Sequence, residues 1–231
     1  MEYLSSDIDW CEDNFVYSNY IAEFFNTISN IPFIGFYYLG LYTFKNFNSK
    51  GDDKFLYGCL LFTGVSSFYF HATLSLFSQL LDEFSIIFLL ANTLIMIYKD
   101  YYIRLAIKSY TLTHSIVMCY YPQINIPVLF FTGFCVWKIL KEKFKKYSDQ
   151  SFKYYWKLAQ FFFFLSVDCW IIDKFFCSYT KLLGIQFHAL WHIFSAICAY
   201  YSILVGIFLE HNDSHFFITS DKYYLPIIQK Y

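Results

Sequence analysis

The chain has 231 residues and a net charge of −1, with 58% of its residues hydrophobic and only 15% charged. Soluble domains run nearer 45–50% apolar and about 25% charged. Here the excess is spread along the whole chain, which excludes one buried core as its explanation, and the absence of a basic face outside short loops excludes a nucleic-acid surface.

The first 22 residues form an acidic arm carrying Glu2, Asp7, Asp9, Glu12 and Asp13 and no Lys or Arg. The arm lacks the basic n-region and short apolar h-region of a cleavable signal, so the first hydrophobic helix is expected to serve as the insertion signal and remain. A spanning helix needs about 20 mainly apolar residues. Seven such runs follow, at roughly 23–44, 54–75, 79–98, 102–121, 123–142, 155–176 and 184–209. The fourth is the weakest, with Arg104, Lys108 and His114 inside it. Short loops predict antiparallel neighbours in one compact bundle. No repeat, linker or second domain interrupts residues 1–231, which end in a brief tail, 210–231. The sequence therefore predicts an all-α membrane protein, a seven-transmembrane-helix bundle.

Orientation follows from Lys and Arg. The loop after the fifth run is basic, with Lys138, Lys141, Lys143, Lys145, Lys146 and Lys153, and the loops after the first and third carry Lys45, Lys50, Lys54, Lys99 and Arg104. The loops after the second and fourth carry none. This pattern predicts a lumenal or extracellular N-terminus and a cytosolic tail, a parity that seven spans satisfy. Of seven cysteines, Cys59, Cys119, Cys135, Cys169 and Cys198 fall in apolar runs as small hydrophobes. Cys11 and Cys177 fall at polar edges on the predicted lumenal side, where a disulfide is chemically allowed; spacing alone leaves the connectivity open.

Ionisable groups inside the runs are costly and mark function. In the second run Ser67 and His71 are four apart and share a helix face. The third opens on Leu80-Leu81-Asp82-Glu83. In the seventh, His188 and His192 are four apart and can bind one metal from one face. With a rise of 1.5 Å per residue, His71, Asp82, His188 and His192 all lie within roughly 10 Å of the lumenal interface. Three His ligands with an open fourth position describe a catalytic zinc site, and zinc lowers the pKa of its water toward about 7. Asp82 is placed to take a proton from that water and return it to a leaving group, and Ser67 to donate to a developing oxyanion. A lipid amide or ester suits a site that opens into hydrocarbon. His114 stands alone, and His211 and His215 lie in the polar tail; no role is assigned to them.

The segment Asp9-Trp10-Cys11-Glu12-Asp13-Asn14 is dense in oxygen ligands but lacks the Gly and terminal Glu of an EF-hand loop. Two readings stand: a solvated acidic arm with capping residues, or a calcium site closed by Glu23 from the helix end. In the sixth run Asp173 either pairs with helix-end amides or a loop lysine, or supports a metal-ligating histidine from behind.

These residues resemble a family. The run Asp9-Trp10-Cys11-Glu12 with Asn14, then Tyr20-Ile21-Ala22-Glu23-Phe24 and Asn26-Thr27-Ile28-Ser29-Asn30, is similar to the opening of the alkaline ceramidases. So are Ser67-x-x-x-His71-Ala72-Thr73-Leu74, Gln79-Leu80-Leu81-Asp82-Glu83, Trp170-x-x-Asp173 and His188-Ala189-Leu190-Trp191-His192. The matches run in order from residue 9 to about 195. The resemblance implies an intramembrane hydrolase that cleaves the amide of ceramide to sphingosine and a free fatty acid with a zinc-activated water. It implies zinc on His71, His188 and His192, Asp82 and Ser67 as catalytic groups, and calcium on Asp9, Glu12, Asn14 and Glu23 with the Trp10 carbonyl. It also implies a Cys11–Cys177 disulfide, a home in endoplasmic reticulum or Golgi membranes, and a ceramide or related sphingolipid and the surrounding membrane lipids as partners; it names no protein partner. Asp168 is an extra acid where the family is usually apolar. Competing readings are a zinc-containing receptor or sensor of the adiponectin-receptor type, expected to place its N-terminus in the cytosol; a hydrolase of another lipid amide; and a proton- or metal-coupled transporter, which broken helices near the midplane would favour.

Overall fold

The computed structural model describes residues 5–44, 52–145, 150–210, 216–220 and 226–230. Nine α-helices occur among them: α1 (Phe24–Ile28), α2 (Ile31–Thr43), α3 (Asp52–Thr73), α4 (Leu76–Ile97), α5 (Tyr101–Tyr120), α6 (Asn125–Phe144), α7 (Gln150–Phe175), α8 (Cys177–Leu183) and α9 (Phe187–Glu210). A 3-10 turn, Pro122–Ile124, leads into α6. The body is all-helical. In the tail, β1 (Phe216–Ser220) pairs antiparallel with β2 (Pro226–Lys230), with Ile218 opposite Ile228, a hairpin the hydropathy pattern did not announce. Lys45, Lys50, Lys146, His211 and His215 lie outside the described residues.

Among the described residues, four stretches are long and apolar enough to cross a membrane: Lys54–Thr73, Leu76–Ile97, Pro122–Phe144 and Phe187–Glu210. The chain is a membrane protein. The other expected runs are also helical. However, α2 has only 13 residues, α5 carries Arg104 and Lys108, and α7 carries Lys153, Lys157, Asp168, Asp173 and Lys174.

The helix boundaries have local causes. Ser75 Oγ accepts the Ser78 N–H at 3.1 Å and starts α4, and Asp100 Oδ1 accepts from Ile103 N at 3.0 Å and starts α5. Each satisfies an amide that the first helical turn leaves unpaired. Gly184, at φ +64°, ends α8, a left-handed position that glycine takes without steric cost.

The first expected run departs most from the sequence reading. It is broken at Ser29–Asn30 into α1 and α2. Asn26, Thr27, Ser29 and Asn30 are all buried. Thr27 Oγ1 donates to the Glu23 carbonyl at 2.5 Å, and Asn30 Nδ2 and Ser29 Oγ donate to the Asn26 carbonyl at 2.9 and 2.8 Å. Such bonds from side chain to nearby backbone compete with the helical ladder, and Pro32 then opens α2.

Below the break the helices pack closely. A Cβ at Gly64 of α3 would lie 2.4 Å from the Phe33 Cβ of α2. The far end of the bundle holds the apolar core, including Phe44, Tyr57, Leu60, Phe144, Phe152 and Tyr200. α7 packs along α9 and α3 along α4.

The acidic arm folds back over the opposite end. Ser6 N donates to the Leu74 carbonyl at 2.9 Å, Ala22 N to that of Ala72 at 3.1 Å, and Glu23 N to that of His71 at 3.0 Å. Glu12 is buried, and its two carboxylate oxygens accept from Phe25 N and Asn26 N at 2.8 Å each. It thus caps α1 from a distant part of the chain, the charge a helix N-terminus favours. Burial pushes the Glu12 carboxyl pKa up, and those two amides oppose the shift. Cys11 is disulfide-bonded to Cys177, which opens α8, so the pairing implied by the resemblance is present.

Candidate metal centre and lipid cavity

The three histidines come from two helices beneath the arm, with Asp82 of α4 beside them. His71 comes from the last turn of α3, and His188 and His192 from the first two turns of α9. All three are about 1% exposed. One ring nitrogen from each can be chosen so that the three atoms lie within 4.8 Å of one another, the one such group of His, Cys, Asp or Glu among the described residues. The shared helix face that the i, i+4 spacing predicted for His188 and His192 is therefore observed, and His71 meets it from α3.

Each ring is held differently. His71 Nδ1 lies 2.5 Å from Glu23 Oε2, an oxygen that also accepts from Asn26 Nδ2 at 3.0 Å. With Nδ1 protonated, the neutral His71 ring keeps its lone pair on Nε2. His192 Nδ1 lies 2.7 Å from Ser29 Oγ, and its Nε2 lies 3.4 Å from Ser67 Oγ. The His188 ring stacks on Trp10, with centroids 3.8 Å apart, and is flanked by Trp191 at 4.8 Å. Neither His188 nitrogen has a hydrogen-bond partner, and Asp82 Oδ1 is likewise buried and unpartnered.

Buried polar atoms are rarely left unpaired. Three histidines, two orphaned nitrogens and an orphaned carboxylate oxygen in one place fit a bound cation. The donor set, imidazole with an adjacent carboxylate, is one that zinc takes. The three histidines can therefore bind a metal ion, and the set is compatible with zinc.

The other expected residues fall into place unevenly. Asp82 and Ser67 line the same cavity as the histidines. Asp173 accepts from His188 N at 3.2 Å and Cys11 N at 3.3 Å. It thus ties α7 to the backbone at the start of α9 and to the arm, rather than to a histidine ring. In the arm, Asn14 Nδ2 reaches Asp9 Oδ1 at 3.5 Å, and both residues are exposed. Glu12 and Glu23, the buried members of the proposed calcium set, are engaged with α1 and with His71. Asp168 is exposed on α7 and does not line the cavity. His114 is buried on α5, outside the cavity.

Sequence reasoning missed Ser29, the part Glu23 plays behind His71, and the Trp10 ring over His188. It also missed Glu83, which lines the cavity beside Asp82 and accepts from Gln79 Nε2 at 3.1 Å and from Asn125 Nδ2. Gln79 Oε1 in turn accepts from Asp7 N at 2.9 Å. The available signal was the run of polar residues at 26–30 inside an otherwise apolar stretch.

The cavity has a volume of about 240 Å³ and continues from the histidines between α4, α6, α7 and α9. Its walls are apolar, among them Leu89, Phe130, Phe163 and Trp170, and Leu140 and Ile203 line it as well. From His188 to Ile203 along α9 is 15 residues, about 22 Å at 1.5 Å per residue. One end therefore offers metal-binding and acid–base groups, and the rest offers a hydrocarbon lining.

A helical bundle with helices long and apolar enough to cross a membrane, and with buried histidines that can hold a metal ion at the head of an apolar cavity, belongs to the class of membrane proteins with an internal metal-binding site. More specifically, the chain belongs to the ceramidase family, whose model matches residues 2–227, and it is an enzyme of that family. It is 28% identical over 225 residues to "Alkaline ceramidase 1" of Homo sapiens, covering 91% of this chain and 85% of the relative. It is 32% identical over 210 residues to "Alkaline ceramidase" of Drosophila melanogaster, covering 85% and 74%. To "Alkaline ceramidase 1" of Mus musculus it is 30% identical over 216 residues, covering 87% and 79%.

Proposed function

We propose that this chain hydrolyses the amide bond of ceramide, releasing sphingosine and a free fatty acid, by a zinc-dependent mechanism inside the membrane. The observation that carries the reading is the convergence of His71, His188, His192, Asp82 and Ser67 at one end of an apolar cavity. The relatives' names supply the substrate.

Zinc held by His71, His188 and His192 would polarise the amide carbonyl and acidify the attacking water. The chain's own groups do the rest. Asp82 takes a proton from the water as it attacks and passes it to the departing sphingoid nitrogen, the work of a positioned general acid–base group. Ser67, beside His192, donates a hydrogen bond to the oxyanion that develops on the carbonyl oxygen. Trp10, Trp191 and the folded arm keep bulk water from the reacting centre, and the apolar walls bind the hydrocarbon chain.

The same proposal takes α1–α2, α3, α4, α5, α6, α7 and α9 as seven spans, with the arm lumenal and the tail cytosolic in endoplasmic reticulum or Golgi membranes. The Cys11–Cys177 disulfide supports that orientation, since such bonds persist in oxidising compartments. Calcium on Asp9, Glu12, Asn14, Glu23 and the Trp10 carbonyl belongs to the proposal as a structural ion of the arm; its support is the acidity of the segment and the burial of Glu12 and Glu23.

The decisive experiment is metal analysis of the purified protein combined with sphingosine release from ceramides, phytoceramides and other lipid amides. Zinc near one per chain and release that stops on chelation and returns with zinc are expected. Full turnover by a zinc-free protein would sink the mechanism, and cleavage of other lipid amides in preference to ceramide would sink the substrate. An N-terminal glycosylation tag is expected to be modified; an unmodified tag exposed to the cytosol would reverse the topology and favour the receptor type.

A further inference from the structure

The break in the first helical run carries one side chain to the metal centre. Ser29, buried at the C-terminal end of α1, has its Oγ 2.8 Å from the Asn26 carbonyl oxygen and 2.7 Å from His192 Nδ1. A serine hydroxyl has one hydrogen and two lone pairs. The Asn26 carbonyl can only accept, so the hydroxyl hydrogen goes there. A lone pair of Ser29 then faces His192 Nδ1, and that nitrogen must carry the ring proton. A neutral imidazole protonated on Nδ1 keeps its free lone pair on Nε2, the nitrogen that faces Ser67 across the cavity.

We propose that Ser29 is a positioning residue of the metal centre, fixing His192 in the tautomer and ring orientation that leave Nε2 free to bind the ion. The inference rests on the zinc reading above and deepens it. Glu23 has the equivalent place behind His71, whereas no hydrogen bond orients the His188 ring, which only stacking holds. Two of the three ligands are thus oriented by α1 and the residues flanking it. The helix break puts Ser29 within reach of α9, 163 positions along the chain.

The test compares full-length wild type, Ser29→Ala and Ser29→Thr, purified in detergent. Zinc affinity is read by competition with a chromophoric chelator, and thermal unfolding is followed in the metal-stripped proteins. Loss of such an outer partner lowers metal affinity by about 10- to 100-fold, so Ser29→Ala is expected to bind zinc that much more weakly. Ser29→Thr, which keeps the hydroxyl, is expected to restore most of the affinity, and metal-free unfolding is expected to be alike in all three. Spectra of ¹⁵N-labelled histidine in the metal-free wild type are expected to show His192 protonated on Nδ1. Unchanged affinity in Ser29→Ala, failure of Ser29→Thr to rescue, or a proton on His192 Nε2 would overturn the inference and leave the zinc reading standing. A wild type that holds no zinc would overturn both.

Discussion

His188 is the least supported of the three histidines, because its ring is held only by stacking on Trp10 and a tilted contact with Trp191, with no hydrogen bond to either nitrogen. On the proposed mechanism His188→Ala removes a zinc ligand that no neighbour replaces. It is expected to abolish both zinc retention and sphingosine release, and full activity of a purified His188→Ala protein would contradict the mechanism. Asp82→Asn keeps the shape of the side chain but cannot take up a proton, so a fall of about 10²–10⁴-fold in kcat with zinc retained is expected. Ser67→Ala removes one oxyanion donor, with an expected loss of about 10²–10³-fold in kcat. Zinc content separates these last two from His188→Ala. At this scale the sequence showed which histidines gather at one point, because the spacing of His188 and His192 and the depth of His71 and Asp82 are local properties of helices. It did not show their supports. Ser29 and Glu23 meet their histidines across 163 and 48 positions, and no periodicity within one helix reports a contact made between two.

The helix break was illegible for a different reason. Residues 23–44 are apolar enough to average as one run, and the average hides the cluster of short polar side chains at 26–30 that bond to their own backbone. The helices below the break show how tightly the elements are matched. Ala at Gly64 would drive its Cβ into Phe33, whereas Gly58, on the same helix, has nothing within 4 Å of an added Cβ. Gly64→Ala is therefore expected to destabilise the protein by about 1–3 kcal/mol, the usual cost of overpacking. Gly58→Ala is expected to be neutral or mildly stabilising, since Ala favours a helix interior by up to about 1 kcal/mol. Thermal unfolding of both variants in one detergent checks this; equal effects would mean that the α2–α3 approach is not tight. The disulfide acts between elements in a similar way. It ties the arm at Cys11 to α8, and the neighbouring Trp10 is the residue stacked on His188. Cys11→Ser is expected to lower the unfolding temperature, and also to weaken zinc retention because Trp10 is no longer anchored over the ring. Zinc binding unchanged in Cys11→Ser would confine the bond to stability.

For the whole molecule, the cavity is the property that no single motif announced, because it is bounded by α4, α6, α7 and α9 together. On the proposed function the histidines mark its polar head, and the hydrocarbon chain of a substrate reacting there would extend along α9 toward Ile203. Ala199 lines the cavity 11 residues beyond His188, about 16 Å along the helix. A large side chain there would shorten the space without touching the reacting groups. Ala199→Phe is therefore expected to leave short-chain ceramides nearly unaffected and to penalise long ones. The penalty grows by about 0.8 kcal/mol, roughly fourfold in kcat/KM, for each methylene that can no longer be buried. Ceramides varied in acyl length at a fixed sphingoid base, and then the reverse, give two series. The discrimination is expected in one series and not the other, and that series identifies which chain occupies the cavity. Equal losses at every length in both series would mean that Ala199→Phe had disturbed the bundle rather than the cavity, and the assignment of this space to the substrate's hydrocarbon chain would fail.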